Sequence, residues 1–583
     1  MLVSILRLPK DRMILMYAML NTGLAISGGV DSMALATLCK GFYPTPRYER
    51  INFRPFVVDH KARRGSTEEA RGVVSALKML GFWNAKILTV HWPEGVEPAT
   101  LPNFESLARR LRYQALGKAC RQYGISSLLL AHHEDDQAET VLMRLTNGHR
   151  GMGLAGIKPA SNIPECWGMH GVHQSGALDK RGHFLGASTE STDTCNRDIN
   201  GTVLVEGGGV TIHRPLLRFS KDRLIATCLN ADTPWFEDHT NENPTLTFRN
   251  TIRQLLKPGN LPQALQKPSL LAMSWKKREE EVAMRARIEK RLSASEVKFD
   301  IRSGKLIIRL RRDVLRKKPK SEVPEEYKEH LQRYLRNIAT FLLRRFLEIV
   351  SPLESIPLAE LRVAARIIFP EAFENPETRD QPGINPAEAF TIASVSCRKI
   401  TPENIAVGQR RKESDYQEHG WVLMRQPYRK SEPFPVIAIP PEKRFKESDS
   451  ASRGSWHLWD GRYWIRVYNH TNKLAIVRPL EPADLKPFRN SLPTWSRQSF
   501  NNTLSAAAPD KIRWTLPALA TESEVVALPT LGFAVQKEEY RGLRWQIRYK
   551  KVDLGKKEPD DPARWWGGRY SPHLKARGIN NEV

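Results

Sequence analysis

A short apolar strand running straight into Ser27-Gly28-Gly29-Val30-Asp31-Ser32 and then into a helix constrains this chain more than any other feature. Leu24-Ala25-Ile26 reads as a buried strand, and Met33, Ala34, Leu35 and Leu38 supply the apolar positions of the helix. Two glycines let the backbone approach an anion closely, and the helix start offers unpaired N–H groups at the positive end of its dipole. Ser27 and Ser32 add hydroxyls, and Asp31 can hold a magnesium ion or its water. A Gly-Gly dipeptide alone is commonly only a turn. The flanking strand, Asp-Ser pair and helix give this one a phosphate reading, and with no Gly-Lys-Ser/Thr behind it, it is not a Walker loop.

From about Leu20 to Arg253 apolar strands alternate with helical patterns, which predicts an α/β fold with a doubly wound parallel sheet. Strands are expected at Phe56–Val58 (ending at Asp59-His60), Lys86–Val90 and Ser127–Ala131. Ser66 and Glu69 have capping-box spacing for a helix over Glu68–Leu80. A second helix buries Phe104, Leu107, Ala108, Leu111, Ala115 and Ala119, leaving Arg109, Arg112 and Tyr113 opposite, and a third covers Gln137–Thr146. Between Ile157 and Ile212 the pattern dissolves, which reads as a surface insertion over about 158–211. Its Cys166, His170, His173, His183 and Cys195 could hold zinc, but such irregular spacing favours an unstructured loop. Helices are expected again at Asp222–Leu229 and, as a charged connector, Trp275–Leu292.

Lys plus Arg number 90 against 64 Asp plus Glu, a formal charge of +26 that favours a polyanionic partner. Residues 301–320 carry nine Lys/Arg against Asp313, suited to sequence-independent phosphate contacts. Asp460-Gly461 marks a hairpin over Leu458–Ile465. Trp456, Trp459, Trp464 and Trp565-Trp566 either stack on unpaired bases or fill a small β-domain core. Six cysteines without a Cys-x-x-Cys pair indicate a reducing compartment. The apolar run Met13–Leu20 is too short to span a bilayer, so no membrane role is expected.

The glycine turn resembles the pyrophosphate loop of the N-type ATP pyrophosphatases, the PP-loop superfamily. Further blocks resemble the tRNA(Ile)-lysidine synthetase family in the same order: Val58-Asp59-His60, Ala108–Tyr113, Ala131–Thr140, Arg150–Leu154, Arg214–Leu217 and Arg249–Arg253. The Trp235–Asn241 stretch keeps the family's Asp and Asn but lacks its Pro-Ser. The resemblance implies a catalytic domain over 1–257, followed by a basic helical connector (258–400) and a mixed α+β region (401–583), both candidates for tRNA binding.

It further implies ligation of L-lysine to a cytidine of tRNA(Ile) through an adenylated base, with ATP as substrate and magnesium as cofactor. Ser27 to Ser32, Asp59 and His132 would bind ATP, and Asp31, Asp135 and Asp136 the metal. Arg112 would steady charge at the α-phosphate. Asp136 and Glu139, three residues apart on one helical face, would receive the lysine ammonium. Arg214, Arg249 and Arg253 would contact phosphate or tRNA, although each taken alone is better accounted for by a surface ion pair. A PP-loop tRNA thiolase and a non-catalytic RNA-binding descendant are the alternatives, and a homodimer stays open. Arg7, Lys10 and Arg12 with a single acid, together with the unfamiliar C-terminal half, lean towards a mitochondrial location, with the cytoplasm as the alternative.

Overall fold

The computed structural model describes residues 21–41, 52–63, 65–93, 101, 104–176, 203–236, 248–257, 259–293, 295–310, 324–373, 388–400, 420–429, 431–442 and 454–552. Two compact units are formed, one from the described residues of Met1–Ile163 and Val210–Ala286, the other from those of Pro164–Gly209 and Arg287–Gly555. No helix among the described residues is long and apolar enough to cross a membrane.

The first unit holds β1 (Asn21–Ile26), β2 (Asn52–Asp59), β3 (Lys86–Thr89), β4 (Ser127–Leu129), β5 (Ala160–Asn162) and β7 (Thr211–His213), while β6 (Leu204–Val205) falls in the second. Its sheet has the order β3-β2-β1-β4-β7-β5, parallel except for the β5 edge. The helices are α1 (Val30–Lys40), α2 (Ser66–Met79), α3 (Phe104–Gln122), α4 (Glu134–Thr146), α5 (Lys221–Asn230), α6 (Phe248–Leu255) and α7 (Lys267–Ser293). Leu24, Ile26 and Val57 join Met33, Ala34, Val73, Leu77, Leu224 and Cys228 in one core. The alternate residue Phe56 points the other way and stacks on Tyr123, just past α3, at 6.0 Å. Both faces are therefore covered, as the apolar strands predict. Each fully buried Leu or Phe contributes about 1.5–3 kcal/mol.

Three local expectations need correction. The capping box of Ser66 and Glu69 does not form: Gly65 (φ 86°) precedes the helix, and Ser66 Oγ donates to Asp59 Oδ1 at 2.8 Å. Helix α4 starts at Glu134 rather than Gln137, because His133 caps it. On α3 the burial is partly reversed: Tyr113 is 1% exposed, buried rather than on the outer face, whereas Phe104, expected in the buried stripe, is 37% exposed at the helix start.

The second unit contains three sheets. β8 (Glu296–Asp300) and β9 (Lys305–Arg309) form a hairpin extended by β12 (Gly420–Arg425), β11 (Val395–Lys399) and β10 (Ala389–Ile392). β13 (Ile437–Ile439), β16 (Ala475–Pro479), β17 (Pro517–Ala520), β18 (Val525–Leu528) and β19 (Phe533–Ala534) make the second. β14 (Trp456–Trp459), β15 (Tyr463–Asn469) and β20 (Leu543–Tyr549) make the third, with β6 parallel to β20. Asp460 and Gly461 both have positive φ (48° and 58°), as the expected tight turn requires. Helices α8 (Glu325–Val350), α9 (Leu361–Ile368), α10 (Pro482–Ser491) and α11 (Thr494–Ala507) complete the unit.

The described ends of the insertion are thus ordered, contrary to the loop expected there. Cys166, Val172, Ser175 and Glu206 are buried. The Glu206 carboxylate accepts from Gly176 N (2.8 Å) and Arg548 Nη1 (3.3 Å) and lies 3.3 Å from His170 Nε2. His170 stacks on Trp456 at 4.8 Å and meets Trp464 edge-on at 4.9 Å. No group of three or more His, Cys, Asp or Glu among the described residues forms a metal site. The tryptophans of the hairpin serve packing: Trp459 and Trp464 are buried, and Trp456 lies between His170 and the Arg466 guanidinium. Trp565, Trp566, His183, Cys195 and residues 311–320 lie outside the described residues. Of the basic stretch, Arg302 and Lys305 join Lys298 around a shallow cavity of about 360 Å³.

Candidate active site

Strand order reverses between β1 and β4, and open α/β sheets bind ligands beyond the carboxyl ends of strands at such a point. There the turn after β1 faces the segment His132–Glu139 after β4. Ser32 Oγ closes the turn on itself, accepting from Ser27 N (3.2 Å) and Gly28 N (3.1 Å) and donating to Gly29 O (2.9 Å). Gly28 takes φ +92°, and a Cβ there would sit 2.5 Å from Val73 Cγ2. Ser32 therefore shapes the turn, while Val30 contributes its side chain to the core and its amide to the helix start. Phe236 N donates to Gly28 O at 3.0 Å, and its ring packs 3.3 Å from where a Cβ on Gly72 would stand. The residues after Phe236, up to 247, lie outside the described set.

The acidic block is held by its own cations. His133 Nδ1 accepts from Asp135 N (3.2 Å) and Asp136 Oδ2 from His133 N (3.0 Å), a capping box that fixes the start of α4. His133 Nε2 lies 3.4 Å from Asp31 Oδ2 and 3.5 Å from Asp136 Oδ2, and its Nδ1 lies 3.3 Å from Asp135 Oδ2, so carboxylates face both ring nitrogens. Burial disfavours the charged ring, yet Asp135, Asp31 and Asp136 outweigh it and push the pKa up to about 10. Lys267, at the start of α7, bonds Glu134 (2.8 Å) and Asp135. Burial works to raise the Asp135 and Asp136 carboxyls, but His133 with Lys267, and His133 with Arg249, hold both below the usual range.

Arg249 and Arg253 of α6 occupy the two carboxylates assigned to the ammonium. Arg249 Nε donates to Glu139 Oε2 (2.6 Å) and Nη2 to Asp136 Oδ1 (2.5 Å), and Arg253 Nε donates to Glu139 Oε1 (2.7 Å). Arg214, 7% exposed, is turned inward, donating to Lys158 O (2.8 Å) and Ser161 Oγ (3.1 Å). Of the three arginines expected to meet tRNA, one thus braces β5 and two brace the acidic helix. Arg112 is half-buried and within electrostatic reach of His60, His132 and Arg249. Burial, then the neighbouring arginines, pull His60 and His132 down to about 4, so both rings are neutral at pH 7. Asp59 is also spoken for, accepting from Ser66 Oγ, Thr67 Oγ1 and Lys61 N, which makes it an organiser of the turn before α2.

Two buried polar atoms here meet no hydrogen-bond partner among the described residues: Asp31 Oδ1 and His132 Nδ1. Asp31 Oδ1 fits a magnesium ion, which takes one or two carboxylates beside waters and phosphate oxygens. Asp135 and Asp136 fit it less well, being already bonded. His133, Lys267 and Phe236 were not singled out from sequence; the only signal was the His132-His133 pair at a strand end, since Lys267 and Phe236 meet the site only through the fold.

The glycine turn, the switch-point crevice and the acidic helix opposite define a PP-loop domain, and a PP-loop domain model matches residues 12–171 and 197–259. Along 520 residues the chain is 28% identical to a Schizosaccharomyces pombe protein named a probable tRNA(Ile)-lysidine synthase, covering 88% of this chain and 91% of that one. By sequence the chain is thus similar to named tRNA(Ile)-lysidine synthases over most of its length. Named members from Bradyrhizobium sp. (34% over 233 residues, 40% of this chain) and Methylobacterium sp. (32% over 266 residues, 46%) match over 51% and 61% of their own lengths. The chain thus spans roughly half of these bacterial relatives. A U34-tRNA thiolase of Methanococcus maripaludis, at 16% identity and a TM-score of 0.29 over 44% of this chain and 71% of its own, is too slight a likeness to carry weight.

Proposed function

We propose that this protein is a tRNA(Ile)-lysidine synthetase, joining L-lysine to C2 of the cytidine at the first anticodon position with consumption of ATP. The observation that carries the reading is the pair of unsatisfied polar atoms, Asp31 Oδ1 and His132 Nδ1, in a crevice whose glycine turn starts a helix. The amides at the α1 start hold the departing pyrophosphate. Magnesium on Asp31 would neutralise phosphate charge. The 2-oxygen of the base attacks the α-phosphate, releasing pyrophosphate, and Arg112 stabilises the charge gathering there. The amine of lysine then displaces AMP from C2.

An ammonium reaches Asp136 and Glu139 by exchange with the Arg249 and Arg253 guanidiniums, which now fill the same acceptor atoms. A carboxylate held below its usual range binds a cation rather than taking its proton, so Asp136 positions lysine. Among the described residues the sulfur-transfer alternative finds little support: the five cysteines there are all buried, and burial raises the Cys39 and Cys228 thiols to about 12 and 11. The test is incubation with tRNA, ATP and radioactive lysine, followed by mass analysis of the nucleoside. Labelled lysidine is expected from the wild type and none from Asp136→Ala; near-normal incorporation by that variant, or a sulfur-containing nucleoside, refutes the proposal. A mitochondrial location belongs to the same proposal and is tested by fractionation.

A further inference from the structure

At the sheet edge, where β3 ends and α3 begins, lies an aromatic pair that the mechanism above does not use. Trp92, just past β3, stacks on Phe104, the first residue of α3, with ring centroids 5.5 Å apart and planes 13° from parallel. Trp92 is fixed by its Nε1, which donates to His60 O at 2.7 Å. The His60 ring in turn lies within electrostatic reach of Arg112. β3 is the edge strand of the sheet, and Phe104 is 37% exposed, so the pair is open to a macromolecule. Arg112, about two turns along the same helix, lies nearer the side of Phe104 than Arg109 and Arg110, which are exposed round the helix from it.

We infer that Trp92 and Phe104 form the platform on which the unpaired target base of the RNA substrate stacks, presenting its reacting edge towards Arg112. The inference deepens the proposed function and rests on it for the identity of the RNA. Exposed aromatic rings are the chemistry by which unpaired bases are held, since every base offers a π-face. ATP is the less suitable occupant: the aromatic ring at the phosphate turn is Phe236, packed beside Gly28 and Gly72, whereas Trp92 and Phe104 stand at the sheet edge.

The test uses the full chain with an anticodon stem-loop carrying either cytidine or an abasic site at the target position. Phe104→Ala is expected to weaken the cytidine RNA about tenfold, within the range of one lost base stack. The wild type should bind the abasic RNA about as weakly, and the variant should no longer distinguish the two RNAs. Phe104→Tyr should restore the distinction, and Trp92→Phe should largely keep it. If Phe104→Ala still discriminates against the abasic RNA as the wild type does, the platform is refuted. It is equally refuted if the variant loses a fluorescent ATP analogue while RNA binding is intact. A wild type that discriminates between the RNAs yet transfers no lysine would refute the proposed function and leave the platform standing.

Discussion

Removing one oxygen from Ser32 tests whether the turn is shaped by its own hydroxyl. Ser32 Oγ makes three backbone bonds, accepting at 3.2 and 3.1 Å and donating at 2.9 Å, beside a longer bond accepted from Ser27 Oγ at 3.3 Å, and the residue is 4% exposed. Each such bond is worth about 0.5–1.5 kcal/mol net. Losing the three backbone bonds in Ser32→Ala therefore costs about 1.5–4.5 kcal/mol, and the buried Gly28 N–H is left without its acceptor. That cost falls on local order in the turn rather than on the sheet, whose core atoms are untouched. At about 1.4 kcal/mol per tenfold, a loss in the middle of that range weakens ATP by roughly a hundredfold. The assay is equilibrium binding of a fluorescent ATP analogue, with a thermal melt alongside. Ser32→Thr keeps the oxygen and should retain most of the affinity. An alanine variant that binds the analogue within about twofold of wild type refutes the idea that this hydroxyl organises the turn.

The two glycines of the turn should separate cleanly in thermal melts. Gly28→Ala, strained by its φ of +92° and by Val73, should lower stability by about 1–3 kcal/mol, whereas Gly29→Ala, at φ −65° with nothing nearer than 3.9 Å, should melt close to wild type. Arg278→Met should destabilise the first unit by about 1–3 kcal/mol in chemical denaturation, because Nη2 donates to Ala155 O (3.0 Å), Gly156 O (3.4 Å) and Ile157 O (3.2 Å). Arg278→Lys should not rescue it, since an ammonium cannot reproduce the planar fork. Lys550, bonded to Ser351 O, has its pKa lowered by burial to about 7, against about 10.4 unfolded. The unfolded chain then binds more protons between these values, so stability of the second unit should rise from pH 7 towards pH 10, and Lys550→Met should flatten that rise in denaturation midpoints.

The strand–turn–helix of Leu24 to Leu38 was legible because period-two and period-3.6 patterns meet at two glycines, and local sequence suffices to define that. The doubly wound sheet followed from the same alternation. Tyr113 was misplaced because a phenol suits either a wet face or a core, and the fold decides. The Ser66 cap failed for a related reason: Asp59 stands seven residues back and offers that hydroxyl a charged acceptor at 2.8 Å. The insertion was illegible because its ends fold against strands far along the chain, with Glu206 and Arg548 separated by 342 positions. No periodicity within 158–211 could announce a partner so distant.

The partners of the arginines were illegible on deeper grounds. Arg249 lies 110 residues from Glu139, and only the packing of α6 on α4 makes them neighbours. Once they meet, elementary electrostatics fixes the outcome. Asp136 and Glu139 are 15% and 6% exposed, and carboxylates so buried must carry partners or lose their charge. His133, Lys267, Arg249 and Arg253 supply those partners, so the cationic side of the crevice is filled by the protein itself. The anionic side is not: helix-start amides, Asp31 Oδ1 and His132 Nδ1 keep hydrogen-bonding capacity. A phosphate ester with its counter-cation can therefore enter without breaking an ion pair, whereas an ammonium must displace a guanidinium bonded at 2.6 or 2.7 Å. The amine is the ligand whose arrival must rearrange the site.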